Sequence, residues 1–293
     1  MKLVRQNFCL KDYKDFDREK REILLIDDAD CEELLDEFYT RVSSAIERRI
    51  NFPVLRLADG EFQFLLGKNE VNFRKPIHKL VFHIIKQYLE KFMKKEFVAK
   101  SRTYSSGVYS QSDMKSVKQQ YLQCLRYISD NGVLAIYSVI KPGFFSEQYI
   151  PDLLKYFARG NIKLKSSNFY PFYFVYIILT NPRFSGVYYK KHVHLITSFD
   201  SDRKAKIENS LRSLGVSKIT WTKISQSRSL FDKIDVKTIE RDVDLIFIGA
   251  GVGKVNIFNQ LKDFPATIID AGYIFETWQN RNLVKERDYC EVH

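Results

Sequence analysis

The sequence predicts an α/β fold: a Rossmann-like, mostly parallel sheet with helices on both faces. Three observations lead there. Short apolar runs of strand length alternate with amphipathic helical stretches along most of the chain. The clearest runs, at 193–197, 243–248 and 266–270, are almost wholly apolar, as strands buried on both faces are. A glycine-rich turn, Gly249-Ala250-Gly251-Val252-Gly253, then leads from one such run into a helical stretch.

Taken in order, residues 29–50 read as an amphipathic helix, with Leu34, Leu35, Phe38, Val42 and Ile46 at helical spacing. A strand at 53–57 runs into Asp59-Gly60-Glu61. A helix at about 77–95 precedes a strand at 97–100, and a helix at about 115–129 leads to the apolar run Gly132 to Tyr137. The segment from about 141 to 190 is aromatic and reads as an irregular insertion. Beyond it, 193–197 is a strand, 202–214 a helix ending at Gly215, and 218–222 a short strand. Residues 226–241 are expected to be helical, followed by strands at 243–248 and 266–270 with a helix between them. With no internal repeat or linker, residues 1–293 are expected to form a single domain.

The composition narrows the function. Of 293 residues, 45% are hydrophobic, with only 12 Gly and 7 Pro, so the chain can build a large core and is not disordered. A formal charge of +11 suits a nucleotide substrate, an anionic membrane face or another polyanion. Cys9, Cys31, Cys124 and Cys290 form no CxxC pair and read as free thiols of a reducing compartment. The start, Met1 to Gln6, leads into charged residues without the apolar core of a signal peptide. The longest apolar run, 169–180, is interrupted by Pro171 and is too short to cross a bilayer. A cytoplasmic protein is expected, at most peripheral at the inner face of the cell membrane.

Chemistry is expected where strands end. Asp59 and Glu61 flank Gly60 just after the first strand, and such a pair can hold Mg²⁺ or Mn²⁺, which favour oxygen ligands. Residues two apart on a regular helix point about 200° apart, so sharing an ion requires the bend that Gly60 permits. The bland alternative is a helix start, with Asp59 as N-cap; the fuller capping box fails because Phe62 lies three residues on. The turn at Gly249 and Gly251 suits a phosphate, yet Ile248 and Val255 break the P-loop pattern and Lys254 breaks the dinucleotide fingerprint. Asp270 ends a third strand, ahead of Tyr273, Glu276 and Trp278. In a parallel sheet these three ends share one edge and can line one cleft. Arg56, two residues before the first turn, can reach a diphosphate. His192 and His194 alternate on a strand and read as a packed or surface pair, since no third ligand accompanies them in sequence.

Arg56-x-x-Asp59-Gly60-Glu61, Gly249-Ala250-Gly251 and the string Ile269-Asp270-Ala271-Gly272-Tyr273-Ile274-Phe275-Glu276-Thr277-Trp278 together resemble the GT-D-type glycosyltransferases. That bacterial family carries an Asp-x-Glu motif on a Rossmann-like fold. The likeness is strong over 54–67 and 244–278 and thin between. It implies nucleotide-sugar and metal binding at Asp59 and Glu61, with Mn²⁺ or Mg²⁺ as the ion. The family's glycine turn falls on Gly249 to Gly251, and its late acidic and aromatic positions on Asp270, Glu276 and Trp278. Nucleotide-sugar contacts are expected from Arg56, Gly60, Gly249, Gly251, Lys254, Asp270 and Tyr273, and catalytic roles for Asp59, Glu61 and Glu276, with Glu276 and Asp270 the candidates for general base. Tyr273 stands where the family usually has His, and Ala250-Gly251 replaces its usual Gly-Pro context. The implied reaction moves a sugar from a nucleoside-diphosphate sugar, UDP-linked, to a surface-glycan, glycoprotein or lipid-linked acceptor. Two other readings stay open: a Rossmann-type oxidoreductase or methyltransferase using 249–270, and a non-enzymatic basic module binding nucleic acid or membranes.

Overall fold

The computed structural model describes residues 28–58, 61, 64–65, 96–98, 108–136, 152–153, 155–165 and 167–280. Helix α1 (Asp28–Glu47) presents Leu34, Leu35, Phe38, Val42, Ala45 and Ile46 as one buried stripe. It leads to β1 (Phe52–Leu57), buried along its whole length. A short antiparallel pair, β2 (Glu96–Val98) and β3 (Val108–Ser110), stands apart from the main sheet. Helix α2 (Gln111–Asn131) then crosses to β4 (Val133–Ile136), which pairs parallel to β1. The crossover ends at Gly132, where a Cβ would lie 1.9 Å from the Pro53 carbonyl oxygen, so only glycine allows the turn to lie this close to β1.

Strand β5 (Phe169–Pro171) and helix α3 (Phe172–Thr180) follow. The remaining chain runs β6 (His192–Thr197), α4 (Ser201–Ser213), β7 (Lys218–Lys223), β8 (Leu245–Gly249), α5 (Lys254–Gln260), β9 (Thr267–Asp270) and α6 (Ile274–Gln279). Among the described residues, seven strands form one sheet in the order β5-β4-β1-β9-β8-β6-β7, and every pair within it is parallel. The predicted α/β fold is therefore observed.

Both faces of the sheet are covered, and the strands show why the apolar runs lack alternation. Leu55, Leu57, Ile246, Ile248 and Ile268 pack with α2 and α5 on one side. Val54, Leu245, Phe247 and Ile269 pack with α1, α3, α4 and α6 on the other. Within the aromatic stretch expected to be irregular, residues 169–171 extend the main sheet and α3 is a buried helix carrying Phe174, Val175, Tyr176, Ile178 and Leu179. Apolar residues on nearly every position hide helical periodicity: even the partly buried face carries Tyr173 and Ile177 beside Thr180.

Two other expectations meet different outcomes. The helix expected at 226–241 is instead a series of turns with one short 3₁₀ segment, Val236–Thr238. Polar side chains take the backbone there: Asp235 accepts from Lys237 N, Ser225 Oγ accepts from Arg228 N, and Asn256 donates to the carbonyls of Ser229 and Asp232. The helix expected at 77–95 lies outside the described residues. Among those residues, no helix is long and apolar enough to cross a membrane.

Candidate active site

The order of strands decides where a site can form. From β1 the chain moves outward to β4 and β5, whereas the second half returns inward through β8 to β9, which lies beside β1. Crossovers leave in opposite directions at the β8–β6 boundary, inward from β8 through α5 on one face and outward from β6 through α4 on the other, opening a crevice at the carboxyl ends of the central strands. A cleft of about 300 Å³ lies there. It is lined by Arg56 and Ala58 at the end of β1, Glu61, Gly249 and Gly251 at the end of β8, Lys254 at the start of α5, Asp270, Gly272 and Tyr273 at the end of β9, and Glu276 in α6. Sequence reasoning named most of these residues. Asp59 and Gly60, the other half of the predicted acidic turn, lie outside the described residues.

At the floor of the cleft, four buried charged side chains form one cluster. Asp270, 1% exposed, accepts from Arg56 N at 3.3 Å and from Lys254 Nζ at 2.6 Å. Its second oxygen lies 3.6 Å from an Arg56 guanidinium nitrogen. The Lys254 ammonium also meets Glu61 Oε1 at 2.8 Å and donates to the Arg56 carbonyl at 2.6 Å. A lysine has three N–H donors, and here three protein oxygens from three separate chain segments take them. Glu61 Oε2 accepts from Ala58 N at 3.0 Å, the reach-back bond of a capping box. The acid three residues after Ala58 is thus the one that reaches back, whereas a frame starting at Asp59 would have Phe62 in that place.

Arg56 is held differently. Its guanidinium lies 4.9 Å from the Phe172 ring centroid and 5.0 Å from that of Tyr273. Tyr273 also stacks on Tyr176 at 5.5 Å. Arg56 is 3% exposed, and its Nε and one terminal nitrogen have no hydrogen-bond partner among the described residues. Buried guanidinium nitrogens without partners are costly, so an acceptor supplied by a ligand would be favourable there. Below the cluster, the Tyr121 phenol is held well above its usual pKa, first by burial and then by the charge of Glu61. It is therefore a neutral group.

Gly272 explains a glycine in the last motif. Its φ is +46°, and a Cβ there would lie 2.0 Å from an Arg56 guanidinium nitrogen. Gly272→Ala should cost about 1–2 kcal/mol from backbone strain alone and push Arg56 off its rings. A urea melt with an unchanged midpoint would contradict this account.

Phe172, Ser198 and Phe199 also line the cleft and were not singled out from sequence. Ser198 and Phe199 directly follow β6, so the strand-end rule that found the others would have found them too. Phe172 was hidden in the aromatic run. His192 and His194 form a packed pair, both sharing the Thr220 hydroxyl, and burial lowers the pKa of His194 to about 4.

Comparison with known proteins adds the fold's relatives. No family model matches the chain, and no curated protein matches it by sequence. Solved structures do. One, a selenomethionine-substituted structure of domain of unknown function 1792, superposes with a TM-score of 0.52 at 12% identity, covering 86% of this chain and 85% of that one. A second, described as the highly conserved domain of unknown function 1792 with a distinct glycosyltransferase fold, gives 0.51 at 12% identity, over 84% and 80%. This chain has that glycosyltransferase fold. A third, a new glycosyltransferase of the same domain type from Streptococcus sanguinis, gives 0.51 at 12% identity over 84% of each chain. The resemblance to GT-D-type glycosyltransferases read from short motifs is thus borne out at the level of the fold.

Proposed function

We propose that this chain is a glycosyltransferase that moves a hexosyl group from a UDP-linked donor to a glycan, glycoprotein or lipid-linked acceptor. The observation that carries this reading is Arg56, a buried cation lining the cleft with two nitrogens that have no partner among the described residues. A diphosphate supplies the acceptor oxygens such a group lacks, and a planar guanidinium can bind two of them at once. The fold shared with glycosyltransferases supports the reading. An oxidoreductase or methyltransferase would leave the charged cluster beneath β1 unexplained.

In the transfer, the bond between the anomeric carbon and the diphosphate oxygen breaks and the acceptor oxygen bonds to that carbon. Positive charge builds on the sugar ring and negative charge on the leaving diphosphate. Arg56 stabilises that leaving charge. Lys254, with its donors occupied, instead holds Glu61 and Asp270 in place. The Gly249–Gly251 turn, with φ +53° at Gly251, lets backbone approach the nucleotide. Glu276 lines the cleft and takes the acceptor proton as general base, if the reaction inverts. Asp270 is a poorer base, being already hydrogen-bonded to Lys254 and ion-paired with Arg56.

The described half of the acidic turn fits a hard divalent ion in chemistry. Glu61 lines the cleft, and each of its carboxylate oxygens, bonded once, retains a lone pair. With Asp59 it would hold Mn²⁺ or Mg²⁺, whose charge would offset that of the diphosphate.

Thermal shift tests the reading. UDP with Mn²⁺ should stabilise the protein by about 2.7 kcal/mol at 100 times its dissociation constant. That gain should vanish in Asp59→Ala/Glu61→Gln. Silence toward every nucleoside diphosphate, with a response to NAD or S-adenosylmethionine, would sink the proposal.

A further inference from the structure

At the amino end of β6, roughly 17 Å of strand away from the cleft, a second group of side chains converges. One ligand atom each from His192, Glu240 and Asp242 lies within 4.8 Å of the others. His192 is 5% exposed, while both carboxylates reach solvent. Its Nε2 lies 3.3 Å from the Thr220 hydroxyl. Its Nδ1 is buried 3.2 Å from an Asp242 oxygen, yet the geometry makes no hydrogen bond. A ring nitrogen tied back to the protein, with the other directed at carboxylates, is how a ligating histidine is usually oriented. The backbone around it is held firmly: His192 N donates to Asp244 Oδ2 at 2.8 Å, and Asp244 N donates to the His192 carbonyl at 3.0 Å.

We propose that His192, Glu240 and Asp242 form a site for a divalent first-row transition ion, for which Zn²⁺ is the probe. An imidazole favours zinc and its neighbours over Mg²⁺ or Ca²⁺, and two carboxylates balance the charge of the ion. Three protein ligands leave a coordination position for water. Lys218 already pairs with Glu240, so its ammonium competes with the metal. The ion would tie β6 to the segment entering β8. This site is independent of the glycosyltransferase reading.

The test uses the full chain and Zn²⁺ alone, by calorimetry, with Co²⁺ absorption reporting the ligand field. With Asp59→Ala/Glu61→Gln as the parent protein, which lacks the carboxylates proposed to hold an ion in the cleft, one equivalent should bind. Asp242→Asn and Glu240→Gln, both at exposed positions, should each weaken it at least about tenfold in that parent. Lys218→Met should tighten it, because the competing cation is gone. The proposal is overturned if Zn²⁺ does not bind, if both carboxylate variants bind as their parent does, or if Lys218→Met weakens binding. His192→Gln adds a ligand test, and its thermal midpoint without metal shows whether any loss comes from misfolding.

Discussion

Lys254→Met should destabilise the protein by about 3–5 kcal/mol, because it leaves buried carboxylates without their cation. For a chain of this size that is a fall of about 10 °C in the melting midpoint. The size of the effect follows from the three oxygens the ammonium holds, which come from β1, from the turn carrying Glu61, and from β9. Methionine keeps most of the stem's volume and loses all three bonds. Adding Glu61→Gln and Asp270→Asn to the same chain should return much of the stability, since the stranded charges are then gone. Differential scanning calorimetry on the single and triple variants decides the matter. A single variant that melts with the native protein would show that the cluster holds nothing together. If the triple variant is less stable than the single, the cost lies in lost packing instead of stranded charge.

Arg56→Lys should leave the fold nearly intact and weaken UDP-dependent turnover by about 10²–10³, the usual cost of losing one well-placed donor to a leaving anion. The charge is kept, so a long-range electrostatic role would survive. What is lost is the flat group between Phe172 and Tyr273, with its fork of donors. The readouts are UDP affinity by calorimetry, turnover with the best donor, and the melting midpoint of the free protein. Unchanged UDP affinity and turnover would remove Arg56 from the proposed mechanism. A large fall in the midpoint of the free protein would instead place Arg56 with Lys254 as a structural cation.

Much of this arrangement was legible in the sequence, for a physical reason. Ligand crevices in parallel sheets form where strands end, so finding the ends of β1, β8 and β9 located Arg56, Glu61, Gly249, Lys254 and Asp270 together. What stayed hidden depends on atoms far apart in the chain. Lys254 reads as a phosphate-binding lysine beside glycines, and only its contacts with residues 198 positions away show that its donors are spent. Glu240 and Asp242 are unremarkable acids until β6 and β8 pair and bring His192 to them. The 226–241 stretch failed for a local reason, since Ser225, Asp232 and Asp235 offer the backbone partners that compete with a helix.

The position of β9 has a consequence for how the molecule comes into being. This strand sits between β1 and β8, yet it leaves the ribosome after both. Until residues 267–270 emerge, β5-β4-β1 and β8-β6-β7 are two half-sheets, each with an unpaired inner edge. Such edges are sticky, and pairing across more than 200 residues is slow. The nascent chain is therefore an expected client of chaperones, and its cleft cannot form early, because Asp270, Tyr273 and Glu276 arrive with or after the strand that closes the gap.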